Sequence, residues 1–298
     1  MAGSVALPGG APHCAGTWIG AVATLLRRRR WPRFWKDWQG IPVRGASGGL
    51  DLCGCIVLSL MSSSIREEDV RLPAGLELDH SVTRPDGTRP VIISFGMQED
   101  VRPGFVPAIL GERYLEFIVT VPGVRLADAS GGTTSGPFGY LTLFYLNDLW
   151  ATVLGQMMGF PKKASRIGTT ENSYSICRLS GGVPILSAEF QISGQVVNPF
   201  QSSDFEPYLK FLNAPVIRRS PFGPFRCEGI EIAKDQSMMQ PIEARVQVNA
   251  DDIPGLPRGA HRFASAENQP MGACRVRYPW RLNRLRSCRD SGAALPGG

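Results

Sequence analysis

Between residues 55 and 249 the apolar residues fall in short runs, most of them cut by Gly, Pro or small polar residues. The clearest run is 242–249. There Ile242, Ala244, Val246 and Val248 alternate with Glu243, Arg245, Gln247 and Asn249. Successive side chains of a strand point to opposite faces, so this period of two marks a strand with one apolar face. Further strands are predicted at 55–61, 91–95, 114–121, 139–145, 172–179, 184–193 and 225–233. Pro122-Gly123 is expected to end the third of these. The polar stretch 62–70 reads as a helical turn or two, and 205–212 as a short helix. The 24 Pro and 34 Gly suit short strands and many turns.

One segment departs from this period. Leu149, Trp150, Val153, Leu154, Met157 and Met158 recur at helical spacing behind a candidate N-cap at Asn147 or Asp148. Gly159 and Pro161 stop the pattern. A helix over 148–158 is predicted, with its apolar stripe buried. Many strands and one definite helix make a mainly β (α+β) chain: antiparallel, barrel-like, with a few helices.

Charge is concentrated at the two ends. Residues 1–50 hold seven Lys/Arg against one acid, Asp37, and 257–298 hold eight Arg against two acids. With a net charge of +6 overall, the middle of the chain carries about −6. A nucleic-acid-binding domain places its basic residues on the folded body, so that function is not expected here. The apolar run at 14–26 precedes its arginines instead of following them, which is the wrong order for a secretory signal. It is also too short to span a bilayer as a helix, so no stable membrane insertion is expected. Residues 1–50 read as a basic, weakly ordered extension, a transit segment or a gene-model artefact. Residues 51–275 form the predicted domain, and 276–298 a basic tail.

Seven cysteines are scattered along the chain, and Cys53-Gly54-Cys55 is too tight for the usual zinc pair. The three histidines form no ligand spacing. Neither a metal nor an organic cofactor is expected. Scattered thiols suit a reducing, cytoplasmic setting.

The chemistry-bearing segment is Gly159-Phe160-Pro161-Lys162-Lys163 at the end of the helix. Two cations at a helix exit also suit the helix dipole. The wider context is more specific. Phe138-Gly139-Tyr140-Leu141 leads through Tyr145-Leu146-Asn147-Asp148 into the helix and then Pro161-Lys162-Lys163. Upstream stand Leu72-Pro73-Ala74-Gly75-Leu76-Glu77, the 91–96 strand and Tyr114-Leu115-Glu116. In order and spacing over about 55–165, these motifs resemble the acetoacetate decarboxylase-like family. Downstream to about 250 the likeness is one of strand pattern.

The resemblance implies the fold of that family and a Schiff-base role for Lys162. Lys163 would be its cationic neighbour, an arrangement for which acetoacetate decarboxylase is itself the standard example. Glu116 would be an acid in the same cavity. It implies a cofactor-free lyase acting on a small keto acid or other carbonyl compound, and a homo-oligomer. Three departures qualify the substrate. Members that decarboxylate carry an arginine before the first long strand. Here the ungapped position is Gly54, and Arg44 is nearby but unaligned. A helix glutamate is replaced by Gln156, and a second-strand acid is missing around Phe95. Aldol or dehydration chemistry on a bulkier or non-acidic carbonyl compound is the alternative, and a non-catalytic binding barrel a third reading.

A lysine attacks a carbonyl only as the neutral amine, and at an ordinary pKa about one in 2,500 is neutral at pH 7. A drop of about 3–4 units costs the ammonium about 4–5 kcal/mol. Repulsion from Lys163 at about 7 Å supplies roughly 2.4 kcal/mol at an effective dielectric of about 20. Adjacent side chains of an extended segment point apart, which weakens it further. Burial can shift a lysine by up to about 3–5 units, so desolvation is expected to dominate and Lys163 to assist.

Overall fold

A computed structural model describes residues 52–103, 111–127, 136–170, 172–201, 214–219, 225–264, 272–282 and 286–287. The extension at 1–50, including Arg44, and the helix expected at 205–212 lie outside them. Among the described residues sixteen strands build one sheet, with the path β16-β11-β10-β5-β4-β3-β1-β15-β13-β9-β8-β7, open at both ends. The central strands are long: β1 (Leu52–Arg66), β3 (Thr88–Pro103), β4 (Glu112–Leu126), β5 (Phe138–Leu146), β13 (Met238–Val248) and β15 (Ala273–Leu282). Shorter strands extend the sheet: β7 (Arg166–Thr169), β8 (Ser173–Cys177), β9 (Leu186–Ile192), β10 (Val216–Arg219), β11 (Phe225–Glu228) and β16 (Arg286–Ser287). Off the path, β2 (Leu76–Leu78) pairs with β4, β6 (Lys162–Ala164) with β5, β12 (Ile230–Ile232) with β15, and β14 (Gly259–Phe263) with β13. Pairing is antiparallel except for β6 and β10, which both run parallel to β5.

β1 runs on through the polar residues Ser62–Ser64, because β3 pairs with it as far as Arg66↔Thr88. Only 67–69 form a helical turn. β4 likewise passes through Pro122-Gly123, where its pairing with β5 shifts between Val121 and Val124. A bulge absorbs the pair that was expected to end the strand. β15 crosses the expected domain limit at 275, and Arg275 and Arg277 are buried in it.

The apolar run of β1 is continuous because the strand is covered on both faces. Val57 and Met61 enter a core with Phe95, Phe117, Tyr174 and Phe190. Ile56, Leu58 and Leu60 enter a second core with Val276 and Tyr278. In the first core the Phe95 ring lies 5.0 Å from Phe117, 5.3 Å from Tyr174 and 5.4 Å from Phe190. Cys53 and Cys55 are buried free thiols, and Cys274 is buried as well. Cys177 and Cys227 are disulfide-bonded, against the expectation of free thiols throughout.

The helix α1 spans Leu149–Met157, capped by the Asp148 side chain, which accepts from the Ala151 N–H at 2.6 Å. Its orientation corrects the expectation. Thr152 and Gly155 face the protein, while Leu149, Trp150, Leu154 and Met157 are exposed. Helical spacing shows which residues share a face, not which face meets the sheet. Here the small residues meet it, because a lysine side chain must pass beneath the helix. No described helix is long and apolar enough to cross a membrane.

Two truncations separate these environments. Phe95→Ala is expected to cost about 3–5 kcal/mol in urea unfolding, as a buried aromatic does. Trp150→Ala, 75% exposed, is expected to change stability by less than about 0.5 kcal/mol. A large loss from Trp150→Ala would contradict the outward orientation of α1.

Candidate active site

Strand register brings two of the three expected residues, Lys162 and Glu116, to one face. Lys162 on β6 pairs with Phe144 on β5, and Phe144 with Ile118 on β4. Glu116, two residues from Ile118, shares its face. Glu116 pairs in turn with Gly96 on β3. A Cβ on Gly96 would lie 2.8 Å from the Glu116 Cγ, so this glycine makes the room that the carboxyl occupies.

Lys162 is half-buried, and its amine lies over aromatic rings. Nζ stands 4.8 Å from the Phe144 centroid, 5.7 Å from Phe160 and 5.9 Å from Tyr114. It donates a 3.3 Å hydrogen bond to the Ala151 carbonyl. α1 sits close over the stem. A Cβ at Gly155 would meet Lys162 Cδ at 2.1 Å and Nζ at 2.8 Å. Gln156, which stands where a glutamate was expected, donates to the Lys162 carbonyl at 2.7 Å and anchors the backbone.

Lys163 does not share this environment. β6 is extended, so its neighbouring side chains diverge. Lys163 is exposed and lies 5.9 Å from the Tyr145 ring, whereas Lys162 lies over Phe144. Tyr145 belongs to the first core and Phe144 to a separate cluster with Tyr114 and Leu146.

The Lys162 pKa is lowered chiefly by burial, against the opposing pull of Glu116, Glu228 and Asp148. Glu116 is raised to about 7 by burial, with Lys162 and the Gln98 hydrogen bond opposing the shift. For both groups desolvation outweighs their mutual attraction, so each shifts toward its uncharged form. Gln98 Nε2 donates to Glu116 Oε1 at 2.8 Å, and Trp280 Nε1 donates to Gln98 Oε1 at 3.1 Å. The other carboxyl oxygen, Oε2, is buried with no hydrogen-bond partner. Tyr174 OH fixes the strand below by donating to the Glu116 carbonyl at 2.7 Å.

Sequence reasoning missed several neighbours. Gln98 is the polar residue that β3 contributes, three positions beyond Phe95 and on the Gly96 face. At Gly54, aligned with the expected arginine, a Cβ would stand 3.1 Å from the Trp280 ring. A buried ion pair, Arg218 Nε to Glu228 Oε1 at 2.7 Å, lies on β10 and β11. The Arg218 guanidinium carbon packs 5.2 Å from the same Phe160 ring that carries Lys162. Burial raises the Glu228 pKa, with Arg218 and Lys162 pulling it down. Among the described residues no group of three or more His, Cys, Asp or Glu is placed to hold a metal.

No protein-family model matches the chain, and no curated protein matches it in sequence. Solved structures do. The enduracididine biosynthesis enzyme MppR, complexed with the condensation product of pyruvate and imidazole 4-carboxaldehyde, superposes with a TM-score of 0.55 at 12% identity. That match covers 80% of this chain and 89% of MppR. MppR complexed with pyruvate gives 0.53 at 10% identity, over 85% and 94% of the two chains. The chain has their fold. An acetoacetate decarboxylase-like enzyme from Sphingomonas wittichii RW1 gives 0.48 at 13% identity, over 80% and 93%. The mainly β architecture expected from the sequence is thus the one observed, and it is shared with MppR.

The raised Glu116 pKa has a consequence for stability. Between pH 4.5 and about 7 the unfolded carboxyl has released its proton and the folded one retains it. Folding stability therefore falls as pH rises across that window and is level above it. Glu116→Gln is expected to remove a decline of up to about 3 kcal/mol. Urea midpoints of both proteins from pH 4 to 8 measure it; parallel pH profiles would contradict a buried, protonated Glu116.

Proposed function

We propose that this protein is a cofactor-free lyase that forms a Schiff base between Lys162 and a small keto acid, with decarboxylation as the principal reaction. The observation that carries this reading is an amine lying over the rings of Phe144, Phe160 and Tyr114, with its pKa lowered by burial, on the face that also holds Glu116. A neutral amine is the nucleophile that imine formation requires.

The Lys162 lone pair attacks the carbonyl carbon, and the carbonyl oxygen takes up a proton. Loss of water from this carbinolamine leaves a protonated imine. In a β-keto acid the bond to the carboxylate carbon then breaks. Carbon dioxide leaves, and the electron pair moves into an enamine. Reprotonation at carbon and hydrolysis release the ketone and restore the amine. Glu116 is the proton carrier in this reading, because a group of pKa near 7 can both give and take a proton at neutral pH. Lys163, on the other side of β6, contributes positive field and no contact. MppR supports a second outcome of the same imine. It has been captured with pyruvate and with a condensation product of pyruvate. The enamine would then attack an aldehyde carbon, forming a carbon–carbon bond in place of a carbon–hydrogen bond.

Borohydride reduction with acetoacetate, followed by peptide mass mapping, tests the site. The expected label falls on the peptide containing Lys162 and disappears in Lys162→Ala. Label on another lysine would overturn the assignment. Carbon dioxide release from acetoacetate without an aldehyde supports decarboxylation. A condensed product from pyruvate and an aldehyde, with no carbon dioxide released, supports the second outcome.

A further inference from the structure

We infer that Arg218 binds the carboxylate of the substrate held on Lys162, so that the site selects keto acids over neutral carbonyl compounds. The inference rests on the imine reading above and names the group that sets its substrate class. Arg218 is 4% exposed, and the ring of Phe160 joins it to the amine. Its guanidinium packs 5.2 Å from that ring and Lys162 Nζ lies 5.7 Å from it. Both cations thus lie against one ring, and in this reading a ligand bonded to Lys162 extends along Phe160 toward Arg218.

The geometry of the ion pair leaves the arginine able to bind. Among the described residues Arg218 makes one hydrogen bond, from Nε to Glu228 Oε1. Both terminal nitrogens remain for a second carboxylate, and a guanidinium edge matches a carboxylate through two parallel N–H bonds. Glu228 holds the side chain in place and offsets the cost of burying its charge. It also limits the repulsion that a bare guanidinium would exert on Lys162. Position 54 offers no cation, since the Trp280 ring closes against Gly54. Arg218 supplies positive charge from β10, which pairs with β5 and so lies end to end with β6.

The test compares acetoacetate with its methyl ester, which has the ketone and lacks the negative charge. Borohydride labelling of Lys162 is measured against concentration for the native chain, Arg218→Gln and Arg218→Lys. Arg218→Gln is expected to raise the half-saturating concentration of acetoacetate about tenfold or more, the scale of a charge-assisted hydrogen bond. The ester should label both proteins alike, and Arg218→Lys should keep part of the preference for the acid. Equal weakening of acid and ester, or no change in either, would overturn the assignment. Arg218→Gln leaves the Glu228 carboxylate buried alone, so the Arg218→Gln/Glu228→Gln double variant serves as the folding-safe partner, with the same outcomes expected. If neither compound labels the native chain at Lys162, it is the imine reading that fails. Acetoacetate binding to Lys162→Ala, with and without Arg218→Gln, then decides for Arg218: weaker binding without the arginine supports it, and equal binding overturns it.

Discussion

Withdrawal of one amine from water is the interaction on which the site depends. Lys162 Nζ lies over three aromatic rings and has the Ala151 carbonyl as its hydrogen-bond acceptor. That surrounding solvates an ammonium poorly, and the cation–π attraction of the rings recovers only part of the loss. Three carboxylates pull the other way, yet the direction of the shift remains downward. Glu116 meets the same condition with the opposite charge and shifts upward. The same low dielectric thus shifts both groups toward their uncharged forms.

The backbone around the site is shaped to permit this. Gly96 leaves space on β3 for the Glu116 side chain, and Gly155 leaves space under α1 for the lysine stem. Gly159, at φ 91, ends the helix in a conformation that side chains resist and turns the chain back onto β5. β6 is three residues long and parallel to β5, which places Lys162 beside Phe144 and turns Lys163 outward. The pair of lysines thus has one half-buried and one exposed member. Their separation across the strand explains why burial, not repulsion, accounts for the displaced pKa.

Much of this was legible in the sequence where a period or a cap carried the information. The 242–249 alternation lies within β13, and Asp148 and Gly159 bound α1 within a residue of the expected limits. Glu116 and Lys162 reach one face through the register of β4, β5 and β6. What could not be read was set by tertiary contacts. The apolar stripe of α1 points outward because the facing side must accommodate Lys162, and nothing within 149–158 encodes that. Gln98 carries no sequence signal of its own, since its role comes from the hydrogen bonds to Glu116 and Trp280. Arg218 and Glu228 lie in short strands downstream of the motif-bearing region, and only the β10–β11 pairing joins them.

The central claim concerns the charge on one side chain, so titration of that side chain tests it most directly. Reductive methylation with isotope-labelled formaldehyde places an NMR-visible group on each accessible amine, and Lys162→Arg identifies its resonance. The account predicts that the Lys162 signal titrates with a midpoint below the ordinary lysine value of 10.5, and that Lys163→Ala leaves that midpoint nearly unchanged. A midpoint near 10.5, or one that moves back to it when Lys163 is removed, would contradict the account.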